Sequence, residues 1–127
     1  MTDAHESTFR SMVAAYAAGD RESMAAALSD SLVAYVTNAE AGVVEVRGAS
    51  AFMDLMTGGD AEYSADVTQV VSVSPSQVLG MVEINASRQG RMLHNHAGFL
   101  ARFDADGRVD EIWMVDAQPA YSDEFWS

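Results

Sequence analysis

In the stretch Met92-Leu-His-Asn-His-Ala97, His94 and His96 stand two residues apart. In an extended strand such residues point to one side, as a pair of metal ligands would. Glu83, a hairpin away, adds the carboxylate of a two-histidine, one-carboxylate set. Asn95, between the histidines, points to the opposite side, and Asp116 closes the last apolar run. A carboxylate in apolar surroundings suits proton abstraction, and a carboxamide beside it orients that carboxylate or meets a substrate carbonyl. The face of the strand that looks inward decides which of these sets can meet a ligand.

Composition removes several chemistries. The 127 residues are long enough for one domain, residues 1–127, with a core of its own. No cysteine is present, which excludes disulfides, thiolate metal sites and thiol nucleophiles. All seven basic residues are Arg, so Schiff-base lysines and phosphate-loop lysines are excluded as well. A net charge of −12 argues against nucleic acid and anionic membranes, whose phosphates need clustered cations. No apolar run has the length of a membrane span, and the N-terminal residues lack a basic-then-apolar leader, so a cytoplasmic location is expected.

The chain's periodicity then supplies the scaffold. Phe9, Met12, Val13 and Tyr16 mark an amphipathic helix stopped by Gly19. Asp20 caps a short second helix carrying Met24 and Leu28 and ending near Ser29-Asp30-Ser31. Residues 32–38 and 43–47 read as strands, and Ser50 caps a third helix that Gly58-Gly59 stops. Beyond Ala61 the period is two, with strands at 62–73, 77–88, 91–103 and 108–116 separated by turn residues. Helices first and a long meander afterwards predict an α+β fold: a curved antiparallel sheet packed on three helices of the N-terminal half.

Turn lengths set the register. A two-residue loop at Gln89-Gly90 pairs Arg88 with Arg91, Ile84 with Asn95, Glu83 with His96 and Asn85 with His94. A four-residue loop at Asp104–Gly107 pairs Phe99 with Ile112, Ala97 with Met114 and Asn95 with Asp116. Leu93, Asn95, Ala97, Phe99, Ala101 and Phe103 form an uncharged, aromatic-rich face that should meet the helices. The histidines then face outward, while Asn95 and Asp116 face the interior.

Three segments carry a resemblance: AAGDRESMAAALSDSLV after the first helix, VRGASAFMDLM before the third, and ARFDADGRVDEIWMVD at the end. Together they resemble the nuclear transport factor 2-like superfamily, which includes ketosteroid isomerases and SnoaL-like polyketide cyclases. The resemblance implies a cystatin-like cone of helices and strongly curved sheet, with a deep apolar pocket and an outer sheet face that commonly forms a homodimer. It also argues against one mechanism. The positions of the isomerase's oxyanion tyrosine, base aspartate and second oxyanion acid fall on Met12, Val36 and Phe99, with Tyr16 one turn beyond Met12. An arginine flanked by aspartates, as in limonene epoxide hydrolases, is not evident on the inward positions. SnoaL-like cyclases use an acidic pocket residue; no residue-by-residue match carries that role over, and it is the inward position of Asp116 at the end of the last strand that makes it the expected acid here.

Asp116 is therefore the candidate general base, or alternatively a cap of the turn Ala117-Gln118-Pro119. Burial disfavours a charged carboxylate and an amide hydrogen bond favours it. Asn95 is the partner that orients it, or a satisfied buried amide. Tyr16 and Asn38 are further polar candidates, and Met12, Met53, Met56, Phe99, Ile112 and Met114 the apolar lining for a small organic ligand; a ligand-free methionine-rich core is the competing reading. The aromatics Tyr121, Phe125 and Trp126 pack on the domain, on a partner subunit or over the pocket mouth. For Glu83, His94 and His96 the expectation is interface hydrogen bonding, with no metal and no cofactor. The function expected is a cofactor-independent isomerase, cyclase or hydratase-type enzyme; the alternative is a non-catalytic ligand-binding or dimerisation module.

Overall fold

The computed structural model describes residues 4–38, 40, 42–57 and 62–126. The expected helix stop at Gly58-Gly59 and the side chain of Trp126 lie outside the described residues. Helix α1 (Ala4–Ala18) buries Phe9, Met12, Val13, Ala15 and Tyr16 on one stripe. It ends as expected at Gly19, whose φ of 69° admits the left-handed conformation. Gly19 N donates to Tyr16 O and Asp20 N to Ala15 O, the paired closure of a Schellman motif. Asp20 then caps α2 (Arg21–Ala27) by accepting from Ser23 N.

Two boundaries differ from expectation. Helix α2 stops at Ala27, and Leu28 already belongs to strand β1 (Leu28–Thr37), four residues before the expected start. Leu28 pairs with Val109 of the last strand, so tertiary pairing overrides the helical spacing of Met24 and Leu28. Strand β2 (Val43–Arg47) follows, and α3 (Ala49–Thr57) begins one residue before Ser50, which therefore lies inside the first turn and does not cap it.

Strands β3 (Glu62–Ser74), β4 (Gln77–Arg88), β5 (Arg91–Phe103) and β6 (Val109–Asp116) form the meander. With β1 and β2 they make one six-stranded sheet in the order β2-β1-β6-β5-β4-β3. Among the described strands only β1 and β6 run parallel. Bulges in β3 at Val67–Gln69 and Ser72–Ser74 bend the edge around the helices. Gln89 and Gly90 both have positive φ, the requirement of a two-residue hairpin turn matched to strand twist. The β4–β5 register is the expected one at every pair, Glu83 with His96 and Ile84 with Asn95 among them.

The β5–β6 register is corrected by two residues. Ala97 faces Asp116, Phe99 faces Met114 and Ala101 faces Ile112. The loop runs from Asp104 to Arg108, because Asp104 Oδ1 accepts from both Asp106 N and Arg108 N. A shift beside Arg102 then leaves Asp110 as an extra residue. A slip of two preserves the faces, so Asn95 and Asp116 remain inward neighbours.

A fourth helix, α4 (Pro119–Trp126), was not anticipated. It lies against the part of β5 that runs past the end of β6. There the Tyr121 hydroxyl donates to Met92 O at 2.8 Å and accepts from His94 N at 3.2 Å. Arg88 Nη1 and Arg91 Nη1 reach the carbonyls of Phe125 and Glu124, at the helix end that attracts cations. Tyr121→Phe removes both hydroxyl bonds and is expected to cost about 1–2 kcal/mol, with faster hydrogen exchange at the His94 amide as the local readout.

Candidate functional site

The inner face of the sheet, α1, α3 and α4 line a cavity of about 440 Å³ that is partly open to solvent. Tyr16 of α1, Leu55 and Met56 of α3, and Val36 and Thr37 of β1 form one side. Ile84 and Arg88 of β4, Leu93, Asn95 and Ala97 of β5, and Met114 and Asp116 of β6 form the sheet side, and Ser122 of α4 closes it. A void of about 30 Å³ among Met12, Met24, Phe52 and Phe99 shares the walls Tyr16, Met56 and Ile84. The lining is mostly apolar with a few convergent polar groups, the usual character of a small-molecule site.

Those polar groups form one connected set. Asn95 is only 3% exposed, and its Nδ2 donates to Asp116 Oδ1 at 2.6 Å and to Ser122 Oγ at 2.8 Å. Its Oδ1 accepts from His96 N at 2.8 Å, so the buried carboxamide is fully engaged and cannot rotate freely. Asp116 Oδ1 also accepts from Gln118 N at 2.7 Å, and Asp116 N donates to Thr37 Oγ1 at 3.2 Å. Among the described residues no donor reaches Asp116 Oδ2. The carboxylate is thus pinned through one oxygen and presents the other.

Tyr16 is the second polar feature. It is 8% exposed and stacks on Tyr63 at 4.7 Å. Burial, reinforced by Tyr63, pushes its phenol well above the ordinary range, which keeps it a hydrogen donor. Among the described residues its hydroxyl has no hydrogen-bond partner.

The structure sorts the remaining candidates. Met56 and Met114 line the main cavity, and Met12 and Phe99 line the smaller void. Met53 and Ile112 are buried in the core and border neither space. Asn38 holds the β1–β2 turn: its Oδ1 accepts from Glu40 N and Gly42 N, both at 3.0 Å. Thr37, Arg88 and Ser122 are cavity residues that the sequence reading missed. Strand alternation alone would have found Arg88, which shares its face with Ile84. Ser122 required knowledge of α4. Glu83, His94 and His96 lie on the outer face, away from both spaces.

No protein-family model and no curated protein sequence matches the chain. Solved structures do match it over nearly its full length. Bal32a, from a soil-derived mobile gene cassette, superposes with a TM-score of 0.83 at 21% identity, covering 98% of this chain and 97% of that one. A limonene-epoxide-hydrolase-like epoxide hydrolase of M. tuberculosis gives 0.76 at 16% identity, covering 97% and 90%. A candidate SnoaL-like polyketide cyclase from Jannaschia sp. CCS1 gives 0.76 at 14% identity, covering 96% and 91%. Among the described residues no helix is long and apolar enough to cross a membrane. With its sheet wrapped around a helix-covered cavity, the chain shares the cone-shaped α+β fold of these solved structures.

Proposed function

We propose that the protein is a cytoplasmic, cofactor-independent isomerase or cyclase that takes an apolar organic molecule into the cavity and uses Asp116 as its general base. One observation carries this reading: a carboxylate fixed by Asn95 through Oδ1, with no donor on Oδ2 among the described residues, lines a mostly apolar cavity large enough for a multi-ring or branched ligand. In the reaction, Oδ2 takes a proton from a carbon beside a carbonyl or similar electron-withdrawing group. The Tyr16 hydroxyl donates to the oxygen on which negative charge develops. Asn95 positions the base, and Ser122 holds Asn95. Solved proteins of this fold include an epoxide hydrolase and a candidate polyketide cyclase, which supports small-molecule chemistry in this cone.

The second reading is a ligand-binding module without turnover. The Gln118 N bond to Asp116 Oδ1 favours it, because that bond alone accounts for an aspartate at this turn. Thermal-shift screening against steroid, polyketide and terpenoid libraries, followed by product analysis of each stabilising compound, separates the two. Converted product supports the enzyme; a stabilising ligand recovered unchanged supports the binding module.

The same proposal includes a homodimer through the outer sheet face. One row across that face reads Val71, Leu79, Leu100, Trp113 and Tyr35, apolar or aromatic at each of five adjacent strands. Val71, Leu79 and Trp113 are 53%, 45% and 38% exposed, and Trp113 stacks on Tyr35 at 4.3 Å. A continuous apolar band of this kind suits burial against its own copy. Sedimentation at micromolar concentration is expected to give a dimer, and Trp113→Glu a monomer. A wild-type monomer at that concentration would defeat the expectation.

A further inference from the structure

Glu83, His94 and His96 lie beyond that apolar band, four residues along β4 from Leu79, and the proposed reaction uses none of them. Glu83 pairs directly with His96, and His94 stands two residues away on the same face. One ligand atom from each side chain lies within 4.8 Å of the other two. Glu83 Oε2 is 2.9 Å from His94 Nε2 and 3.6 Å from His96 Nε2. Donors that share one tetrahedral zinc-class ion at bond lengths of about 2.1 Å sit roughly 3.4 Å apart. The two distances bracket that spacing and the two imidazole donors lie within 4.8 Å of each other, so side-chain rotations that draw the imidazoles together bring all three groups onto one ion. Their exposures of 60%, 45% and 35% for His94, His96 and Glu83 leave room for those rotations.

The electrostatics agree with the geometry. Glu83 Oε2 faces both imidazoles, so the one carboxylate already sits between the two nitrogen donors. Asp66, exposed and directly opposite Glu83 on β3, adds a second carboxylate to the same face. Arg102, the arginine of β5 on this face, is bound to Asp110 and Glu111 at the far end of the strand. Backbone pairing across the whole β4–β5 hairpin fixes where the three side chains start.

We propose that Glu83, His94 and His96 form a binding site for one divalent transition-metal ion of the zinc, nickel or copper class. Two imidazoles and one carboxylate select these ions over magnesium and calcium, which prefer all-oxygen sets. The sequence alone favoured simple hydrogen bonding for these residues; the convergence of the three ligand atoms is what changes the reading. Neither cavity borders this site, so the remaining coordination positions take water, and the site binds its ion apart from the chemistry at Asp116.

The test uses tag-free protein, stripped with chelator and titrated with zinc and nickel chloride at mildly alkaline pH by calorimetry, with elemental analysis of the dialysed sample. One equivalent per chain, a raised melting temperature with zinc, and no response to magnesium or calcium are expected. His94→Ala and His96→Ala are each expected to weaken zinc binding at least about tenfold. The third histidine, His5, stacks on Phe103, and His5→Ala is expected to leave binding unchanged. All three substituted sites tolerate a check of folding by circular dichroism. No saturable zinc binding up to about 1 mM, or stoichiometric binding retained in the His94→Ala/His96→Ala double variant, would overturn the proposal.

Discussion

Asp116→Asn is expected to lower turnover of the cognate substrate by about 10²–10⁴-fold, the usual contribution of a general base, with little change in melting temperature. The carboxamide oxygen replaces Oδ1 and still accepts from Asn95 Nδ2 and Gln118 N, so the turn and the buried network survive. The other terminal atom becomes an NH₂ group, which donates hydrogen bonds and takes no proton. Stability and activity should therefore separate. Asp116→Ala removes the acceptor altogether, leaves an Asn95 N–H without its partner, and is expected to cost about 1–3 kcal/mol of stability as well. The outcome that sinks the assignment is an Asp116→Asn protein that turns over substrate within a few-fold of wild type. Equal ligand binding by wild type and variant with no turnover in either would leave Asp116 the turn cap of the second reading.

The placement of Asp116 was legible in the sequence because of parity. The β4–β5 hairpin is dictated by a loop whose two residues both adopt positive φ, and every pair follows from it. The next hairpin is not so determined. Asp104 folds back on Asp106 and Arg108, a five-residue loop results, and Asp110 is squeezed out of the ladder. The error was an even number of residues, so Asn95 and Asp116 kept their face although they are diagonal neighbours and not direct partners. What periodicity could not reveal is α4. Tyr121, Ser122 and Phe125 give too short an apolar repeat to announce a helix, although Pro119 at its first position is a recognised start signal. Its stability comes from groups distant in sequence: the Tyr121 hydroxyl on β5 and two arginines at the β4–β5 turn. Ser122, and with it the second hydrogen bond that holds Asn95, was hidden for the same reason. Leu28 shows the converse, a residue in helical register with Met24 that a parallel partner, Val109, draws into β1.

The contact that seats α1 on the sheet gives the largest expected stability effect. Gly80 lies on the inner face of β4 and is buried; a Cβ there would stand 2.3 Å from Phe9 Cε2 and 2.5 Å from Cζ. Real atoms do not approach so closely, and Phe9 has nowhere to go. It is 0% exposed and tilted against Phe99 with ring centres 6.0 Å apart. Interiors are packed too densely to absorb a methyl group without moving neighbours. Gly80→Ala is therefore expected to cost about 2–3 kcal/mol, the upper part of the range for overpacking, and to lower the melting temperature by roughly 10 °C. Phe9→Leu alone removes buried surface and destabilises, but in the Gly80→Ala background it relieves the clash. The double variant should be more stable than the two single losses predict, by about 1 kcal/mol or more. Phe9 and Tyr16 lie on the same stripe of α1, so lifting that helix also moves the Tyr16 hydroxyl relative to Asp116. Gly80→Ala should then weaken ligand binding even though it lies outside the cavity lining. A Gly80→Ala protein within about 0.5 kcal/mol of wild type would mean that α1 does not rest on β4 through Phe9.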